Sequence, residues 1–209
     1  MGAGAVASFL GFLALTAFVS HHGLDGTDQV VRVLVHRPAL ALLRPAMEAV
    51  SFAGGKAGQI VVVSVAAALL WRRRRRWSVA LPLVMLGVGL LEPMLKWAVD
   101  RPRPNLDPWG FPSGHVMSVA VLSGYLIHVG GGSGRRRAAC GALWAAIVGT
   151  MAFSRIYLDA HWLSDVVGGF TIGLAYLLAA ICILGPIPRR RDVHDVATAA
   201  PPAVETAAA

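Results

Sequence analysis

An all-α bundle of six transmembrane helices is the fold that this sequence predicts, and three observations predict it. Hydrophobic residues fill 56% of the 209 positions and charged residues only 14%, with a mean hydropathy of +0.62. The apolar residues come in stretches close to the ~20 residues that a bilayer core requires. The charges are segregated into short basic blocks between those stretches, whereas a soluble domain spreads them over its surface.

The first stretch, about residues 3–20, has no Lys or Arg ahead of it and runs into Val-Ser-His-His-Gly rather than a small-x-small cleavage site. A retained first helix is expected, with His21 and His22 as its polar end rather than a metal pair. Residues 24–44 mix apolar side chains with Asp25, Asp28, Arg32, His36, Arg37 and Arg44, and Pro38 and Pro45 interrupt them. Two readings stand side by side for this segment. One is a short interfacial helix with Val30, Val31, Val33, Leu34, Leu40 and Leu43 on one side and its arginines toward headgroups; the other is a connecting loop.

The second span is expected over about 49–71, where Gly54, Gly55 and Gly58 permit close helix contact. Spans three to six fall at about 79–99, 116–129, 138–157 and 163–184, the fourth being short unless Gly114 and His115 belong to it. Residues 1–188 thus form one membrane domain whose chemically interesting residues lie within 96–165. The segment 189–209, rich in Ala, Pro and Thr and without an apolar period, reads as a disordered cytoplasmic tail.

The net charge of +8 does not point to nucleic acid. Eleven of the nineteen Lys and Arg residues sit in three blocks, Arg72 to Arg76, Arg135 to Arg137 and Arg189 to Arg191, each beside an apolar span. Cytoplasmic anchors look like this. The positive-inside rule then puts both termini in the cytoplasm and the loops after spans one, three and five outside the cell membrane. Cys140 and Cys182 lie inside apolar segments without metal-ligand spacing and read as packing residues.

The outer ends of spans three to six hold three polar clusters. Lys96-Trp-Ala-Val-Asp-Arg-Pro-Arg103-Pro104 closes the third, Pro112-Ser113-Gly114-His115 opens the fourth, and Ser154-Arg155, His161 and Asp165 bridge the fifth and sixth. Charge at membrane depth is costly and usually faces the bundle interior or a wet cavity. Phosphoryl transfer needs fixed cations and donors around the equatorial oxygens, and Lys96, Arg103 and Arg155 with the Ser113 hydroxyl and the Gly114 N–H supply that set. His161 and Asp165, spaced i, i+4, would share a helix face, so that the carboxylate accepts the Nδ1–H and leaves Nε2 as nucleophile. His115 would protonate the departing oxygen. No metal or other cofactor is required, since three cations already offset the charge. The inert alternative is a set of structural ion pairs, such as Arg155 with Asp165.

Lys96-x6-Arg103-Pro104, Pro112-Ser113-Gly114-His115 and Ser154-Arg155-x5-His161-x3-Asp165 together resemble the three-part signature of the type 2 phosphatidic acid phosphatase superfamily, and the six-span layout resembles its membrane branch. The resemblance covers about 70 residues. It implies a phosphohistidine on His161, oriented by Asp165, with His115 as general acid and base. It also implies phosphate ligation by Lys96, Arg103, Ser113, Gly114 and Arg155 without a metal. Arg101-Pro102 duplicates Arg103-Pro104, and the spacing favours Arg103; Ser154 belongs to the signature as either a cap or a packing residue.

A membrane lipid phosphatase with an outward-facing site is therefore expected. Its substrate would be a lipid phosphomonoester or diphosphate such as polyprenyl diphosphate, phosphatidic acid or phosphatidylglycerol phosphate. A phosphotransferase delivering the phosphoryl group to a lipid or sugar hydroxyl is the alternative enzyme. An anionic-lipid binder or transporter is the non-enzymatic one, but it has no use for the His161/Asp165 pair opposite His115. The superfamily's vanadium haloperoxidases are soluble, which six apolar spans argue against.

Overall fold

The computed structural model describes residues 1–22, 26–36 and 42–185. The basic block Arg189 to Arg191, the tail 189–209 and residues 37–41 of the early polar segment lie outside them. Eight helices follow in order: α1 (Gly2–His22), α2 (Gly26–Val35), α3 (Arg44–Ala53), α4 (Lys56–Trp71), α5 (Arg75–Val99), α6 (Gly114–Gly130), α7 (Gly134–Tyr157) and α8 (Leu163–Leu184). Among the described residues, helices α1, α5, α7 and α8 are each long and apolar enough to cross a bilayer, and α3 with α4, a bent pair, are so when taken together. The apolar α6 has 17 residues. The protein is an all-helical, multi-pass membrane protein.

The structure differs from the expected six continuous spans at the second and the fourth. Between α3 and α4 the chain bends by 53°, at the Gly54-Gly55 pair that the sequence reading assigned to helix contact. A Cβ at Gly58 would stand 2.1 Å from the Ala53 carbonyl oxygen, so the turn closes only with glycine there. A break at membrane depth leaves backbone groups that lipid cannot satisfy. Gln59 does so instead: its Nε2 donates to the Gly54 carbonyl and to Ser118 Oγ on α6, both at 2.5 Å. Pattern-based reading missed this because apolar composition continues through the bend. In α6 the span is short because Ser113, its N-cap residue, already belongs to the site-forming turn.

Helix α8 is the centre of the bundle and packs on both α1 and α6. Small residues let the backbones meet: a Cβ at Gly169 would lie 2.4 Å from the Ser113 carbonyl oxygen, and one at Gly173 3.0 Å from that of Met117. This four-residue spacing of glycines is a close-contact device of membrane helices, where dispersion rather than water exclusion drives association. At the other end of the bundle Trp77 and Tyr125 meet edge to face, and the buried Tyr125 hydroxyl donates to the Trp77 carbonyl at 2.7 Å. Helices α4 and α5 pair along their length, tied by Ser78 Oγ donating to the Ala67 carbonyl at 2.6 Å.

Two levels of polarity result. Helices α5 and α7 end, and α6 and α8 begin, at one end of the bundle, where all three sequence clusters stand. Arg72 to Arg76 and Arg135 to Arg137 lie at the other, and a Cβ on Gly185, just past α8, would come within 3.6 Å of Arg76 Nη2.

Gly169→Ala is expected to lower thermal stability in detergent by about 1–3 kcal/mol, because the added methyl overpacks a backbone contact. Gly141→Ala, where a Cβ meets nothing within 4 Å, serves as the comparison and should hold or slightly gain stability. Equal melting temperatures for the two variants would contradict close α6–α8 packing.

Candidate active site

The site is assembled around the start of α8. Asp165 is the third residue of that helix, where a carboxylate meets orphan N–H groups and the positive end of the dipole. Its Oδ2 accepts the Trp162 N–H at 3.0 Å, and its Oδ1 accepts from Arg101 Nη1 at 2.7 Å. No surface of Asp165 is exposed. The backbone carbonyl of the same residue accepts the Ser113 N–H at 2.9 Å. The turn opening α6 is thus fastened to the start of α8 through Asp165.

His161 precedes α8 rather than lying on it, since Trp162 is the N-cap. Its Nδ1 stands 3.5 Å from Asp165 Oδ2, longer than a good hydrogen bond but with the carboxylate on the expected side. The i, i+4 spacing thus brings the pair together through a helix-start turn, not along a helix face. The His161 N–H donates to the Arg155 carbonyl at 3.1 Å, which fixes the imidazole against the end of α7. Burial pushes the His161 imidazole below its ordinary value of 6.5; Asp165 opposes the change, and Arg155 and Arg103 add to it. The ring is accordingly neutral near pH 7.

Arg155 is nearly buried, and one end of its guanidinium donates to Ser51 Oγ on α3. It does not pair with Asp165, contrary to the structural ion pair considered from the sequence; Arg101 takes that place. Ser154 Oγ donates to the Met47 carbonyl at 2.9 Å, so this signature serine fastens α3 to α7. The bend after α3 therefore serves the site, because it lays α3 across the end of α7 with Ser51 beside Arg155.

On the facing side, the His115 ring on α6 lies in the field of Arg155, His161, Glu92 and Lys96. A Cβ on Gly55, in the bend, would come within 3.6 Å of His115 Nε2. Lys96 forms an ion pair with Glu92 one turn back on α5, 2.7 Å apart. The Glu92 carboxylate rests on Gly114, where a Cβ would fall 1.9 Å from Oε1. Arg103 lies in the loop between α5 and α6, its Cγ 3.3 Å from a Cβ built on Gly110 and Asp165 Oδ2 3.2 Å from the same point. Lys96, Arg103, Ser113, Gly114, His115, Arg155, His161 and Asp165 therefore stand at one end of the bundle, as the sequence predicts.

Four buried polar atoms in this set have no hydrogen-bond partner among the described residues: Ser113 Oγ, Arg103 Nε, Arg155 Nε and His161 Nδ1. Leaving a buried donor unmade costs about 1–3 kcal/mol, so native proteins keep few. His161 Nδ1 is turned to Asp165; the donors on Ser113, Arg103 and Arg155 stand at the same end of the bundle, a set suited to a tetrahedral oxyanion.

Several participants escaped the sequence reading. Helix α2 lies on α7 and α8, which settles the open choice for residues 26–35 in favour of a helix. Its arginine faces the protein rather than headgroups: Arg32 grips Asp159 at 2.7 and 3.2 Å and stacks over Trp162, while Asp28 is buried against Arg101 and Ser164. The charges turn inward because Asp159 and Arg101 would otherwise stand uncompensated. Asp28 and Arg101 are 73 positions apart and Arg32 and Asp159 are 127, so no local pattern could have signalled them. The Glu92–Lys96 pair, at i, i+4, was the one legible addition.

Comparison with known proteins agrees with this geometry. Residues 77–188 match the model of the PAP2 superfamily. Phosphatidylglycerophosphatase B of Bacillus subtilis (strain 168) is 27% identical over 183 residues, spanning 81% of this chain and 89% of that protein. Lipid phosphate phosphatase delta of Arabidopsis thaliana is 28% identical over 130 residues, 52% of this chain and 31% of its own. Among solved structures, a transmembrane PAP2-type phosphatidylglycerolphosphate phosphatase from Bacillus subtilis has the same fold at a TM-score of 0.73 and 24% identity, covering 84% of this chain and 93% of its own. LpxE from Aquifex aeolicus matches in fold at a TM-score of 0.60 and 20% identity, covering 73% of this chain and 93% of its own. With more than half of its length matched to the family and the three signature clusters drawn to one end of a helical bundle, the chain belongs to the PAP2 superfamily.

Proposed function

We propose that this protein hydrolyses the phosphomonoester or diphosphate head of a membrane lipid through a phosphohistidine on His161. The observation that carries the reading is the group of unpartnered buried donors on Ser113, Arg103 and Arg155, placed around a neutral, carboxylate-backed imidazole with a second histidine opposite. A structural role would leave those donors paired with protein.

The chemistry balances with the chain's own groups. Nε2 of His161 attacks phosphorus while the bond from phosphorus to the lipid oxygen breaks, and His115, protonated once the negative charge of the bound phosphate favours its imidazolium, delivers its proton to that oxygen. The lipid leaves as an alcohol, or as a lipid monophosphate where the substrate is a diphosphate. Water then attacks the phosphohistidine, His115 takes a proton from it, and inorganic phosphate departs. Arg103, Arg155, Lys96, the Ser113 hydroxyl and the Gly114 N–H would hold the equatorial oxygens and strengthen their grip as charge redistributes. Glu92 would release or share Lys96 when a phosphate arrives. Turnover on this scheme needs no metal.

Phosphatidylglycerol phosphate is the first substrate to test, because a relative matched over 89% of its length is a phosphatidylglycerophosphatase. Polyprenyl diphosphate and phosphatidic acid complete the panel. The basic blocks Arg72 to Arg76 and Arg135 to Arg137 stand at the end of the bundle away from the site, which supports an outward-facing site under the positive-inside rule.

Detergent-purified protein with EDTA should release phosphate from at least one of these lipids, and His161→Asn should lose at least about a thousandfold in rate. Full release by that variant would refute the phosphohistidine; release only upon addition of an alcohol acceptor would make the enzyme a phosphotransferase.

The nucleophile acts in its neutral form, and the His161 pKa lies below 6.5. Activity should therefore persist at pH 6.5 and fall only as the pH drops through that lower value. An acid limb of kcat/KM above 6.5 would contradict the neutral, buried imidazole.

Cysteine introduced at Trp109, in a variant lacking Cys140 and Cys182, should react with an impermeant maleimide added to intact cells. Protection until the membrane is opened would reverse the orientation.

A further inference from the structure

Arg101 is outside the three-part signature, which takes Lys96 and Arg103 from the same loop, yet it is the more deeply fixed of the two arginines. Its Nη1 donates to Asp165 Oδ1 at 2.7 Å and to Ser164 Oγ at 2.6 Å, and its Nη2 donates to Asp28 Oδ2 at 2.8 Å. Asp28 completes the ring from α2: its Oδ1 accepts the Ser164 N–H at 2.9 Å and its Oδ2 the Ser164 hydroxyl at 2.6 Å. Arg101 is 6% exposed, Asp28 3% and Asp165 0%. One guanidinium thus spans two buried carboxylates, one on the helix that carries Asp165 and one on a helix that contributes nothing to the signature.

Such an arrangement is poorly explained as a stability device, because buried ion pairs often do no better than packed apolar side chains. It also spends the planar fork of an arginine, which a lysine could not replace, on two carboxylates at once. What it does achieve is to fix one carboxylate oxygen of Asp165 and leave the other facing Trp162 N–H and His161 Nδ1. The rotation of that carboxylate determines where the His161 ring can point.

We propose that Arg101 and Asp28 are positioning residues for the phosphoryl transfer: together they hold the Asp165 carboxylate, and through it the His161 ring, so that α2 belongs to the catalytic unit. The proposal rests on the phosphohistidine reading given above. Neither residue touches the substrate: both terminal nitrogens of Arg101 are engaged by carboxylates, and the phosphate is left to Arg103 and Arg155.

The charges facing His161 make the consequence specific. Asp165 on α8, Arg155 on α7, Arg103 and Arg101 in the loop after α5, and His115 on α6 surround it, with the Glu92–Lys96 pair of α5 beside His115. Asp159, in the turn before His161, is paired with Arg32 of α2, and the His36 ring just past that helix lies 3.4 Å from it. Removing the negative charge of Asp28 leaves the charge of Arg101 to be met by Asp165 and makes protonation of His161 harder. Removing the positive charge of Arg101 makes it easier. The two substitutions must therefore move the His161 titration in opposite directions, while both loosen Asp165.

The test uses full-length protein in detergent, with histidine side chains isotopically labelled and titrated by NMR; the His161 signal is assigned by its absence in His161→Asn. Asp28→Asn should shift the His161 midpoint downward and Arg101→Gln upward, each by about 0.3–1 pH unit. Both should lower kcat for phosphate release by at least about tenfold, with KM within about twofold of wild type, as expected when orientation rather than phosphate binding is lost. Any other pattern overturns the proposal, including loss of rate with an unmoved midpoint, which a purely structural role would produce. If Arg101→Gln does not purify as folded protein, Asp28→Asn decides alone, because asparagine keeps an acceptor for Ser164: a downward midpoint with lowered kcat supports the proposal, and a wild-type midpoint refutes it. Phosphate release by the His161→Asn protein would instead overturn the phosphohistidine reading.

Discussion

A carboxylate with no exposed surface sits at the start of α8, and the site end of the bundle is arranged to surround it with donors. Desolvating such a group costs several kcal/mol unless donors replace water. Asp165 obtains them from the first turn of its own helix and from Arg101, with His161 at its remaining side. Its backbone carbonyl receives the Ser113 N–H, so the residue beside the His161 imidazole also locates the turn that begins α6. Gly169, one turn further on, lets the Ser113 backbone lie directly on α8. Site geometry and helix packing therefore share the same few ångströms.

What could be read from the sequence divides along the range of the interactions involved. Long apolar stretches reveal membrane helices because the bilayer sets their length, and the spacings Lys96 to Arg103, Ser113 to His115 and Arg155 to His161 to Asp165 are legible because each lies within one loop or helix end. The bend at Gly54-Gly55 was hidden, since Gln59 and Ser118 repair it through a contact between α4 and α6 that leaves the hydropathy profile unchanged. The spacing of His161 and Asp165 suggested a shared helix face, but a histidine just ahead of the N-cap and a carboxylate at the third helical position reach each other equally well.

The early polar segment shows the same limit from the opposite side. Val30, Val33 and Leu34 suggested an interfacial helix by their period, and the helix is there. Composition gave no means of knowing that its charged side would be claimed by the protein, because Asp159 and Arg101 stand far along the chain. Serine residues carry much of the remaining hidden structure: Ser51, Ser154 and Ser164 each join two segments at the site.

Helix α2 has its ion pairs on one side and Val30, Val33 and Leu34 exposed on the other. A helix built this way works as a float. Its apolar side settles at the depth where acyl chains give way to headgroups, and its charged side is bolted to the residues behind His161. The height of the His161 end relative to the lipid surface is then referenced within about one helical turn, ~5.4 Å. A thicker or thinner leaflet would tug on Asp28 before it disturbed Arg103 or Arg155.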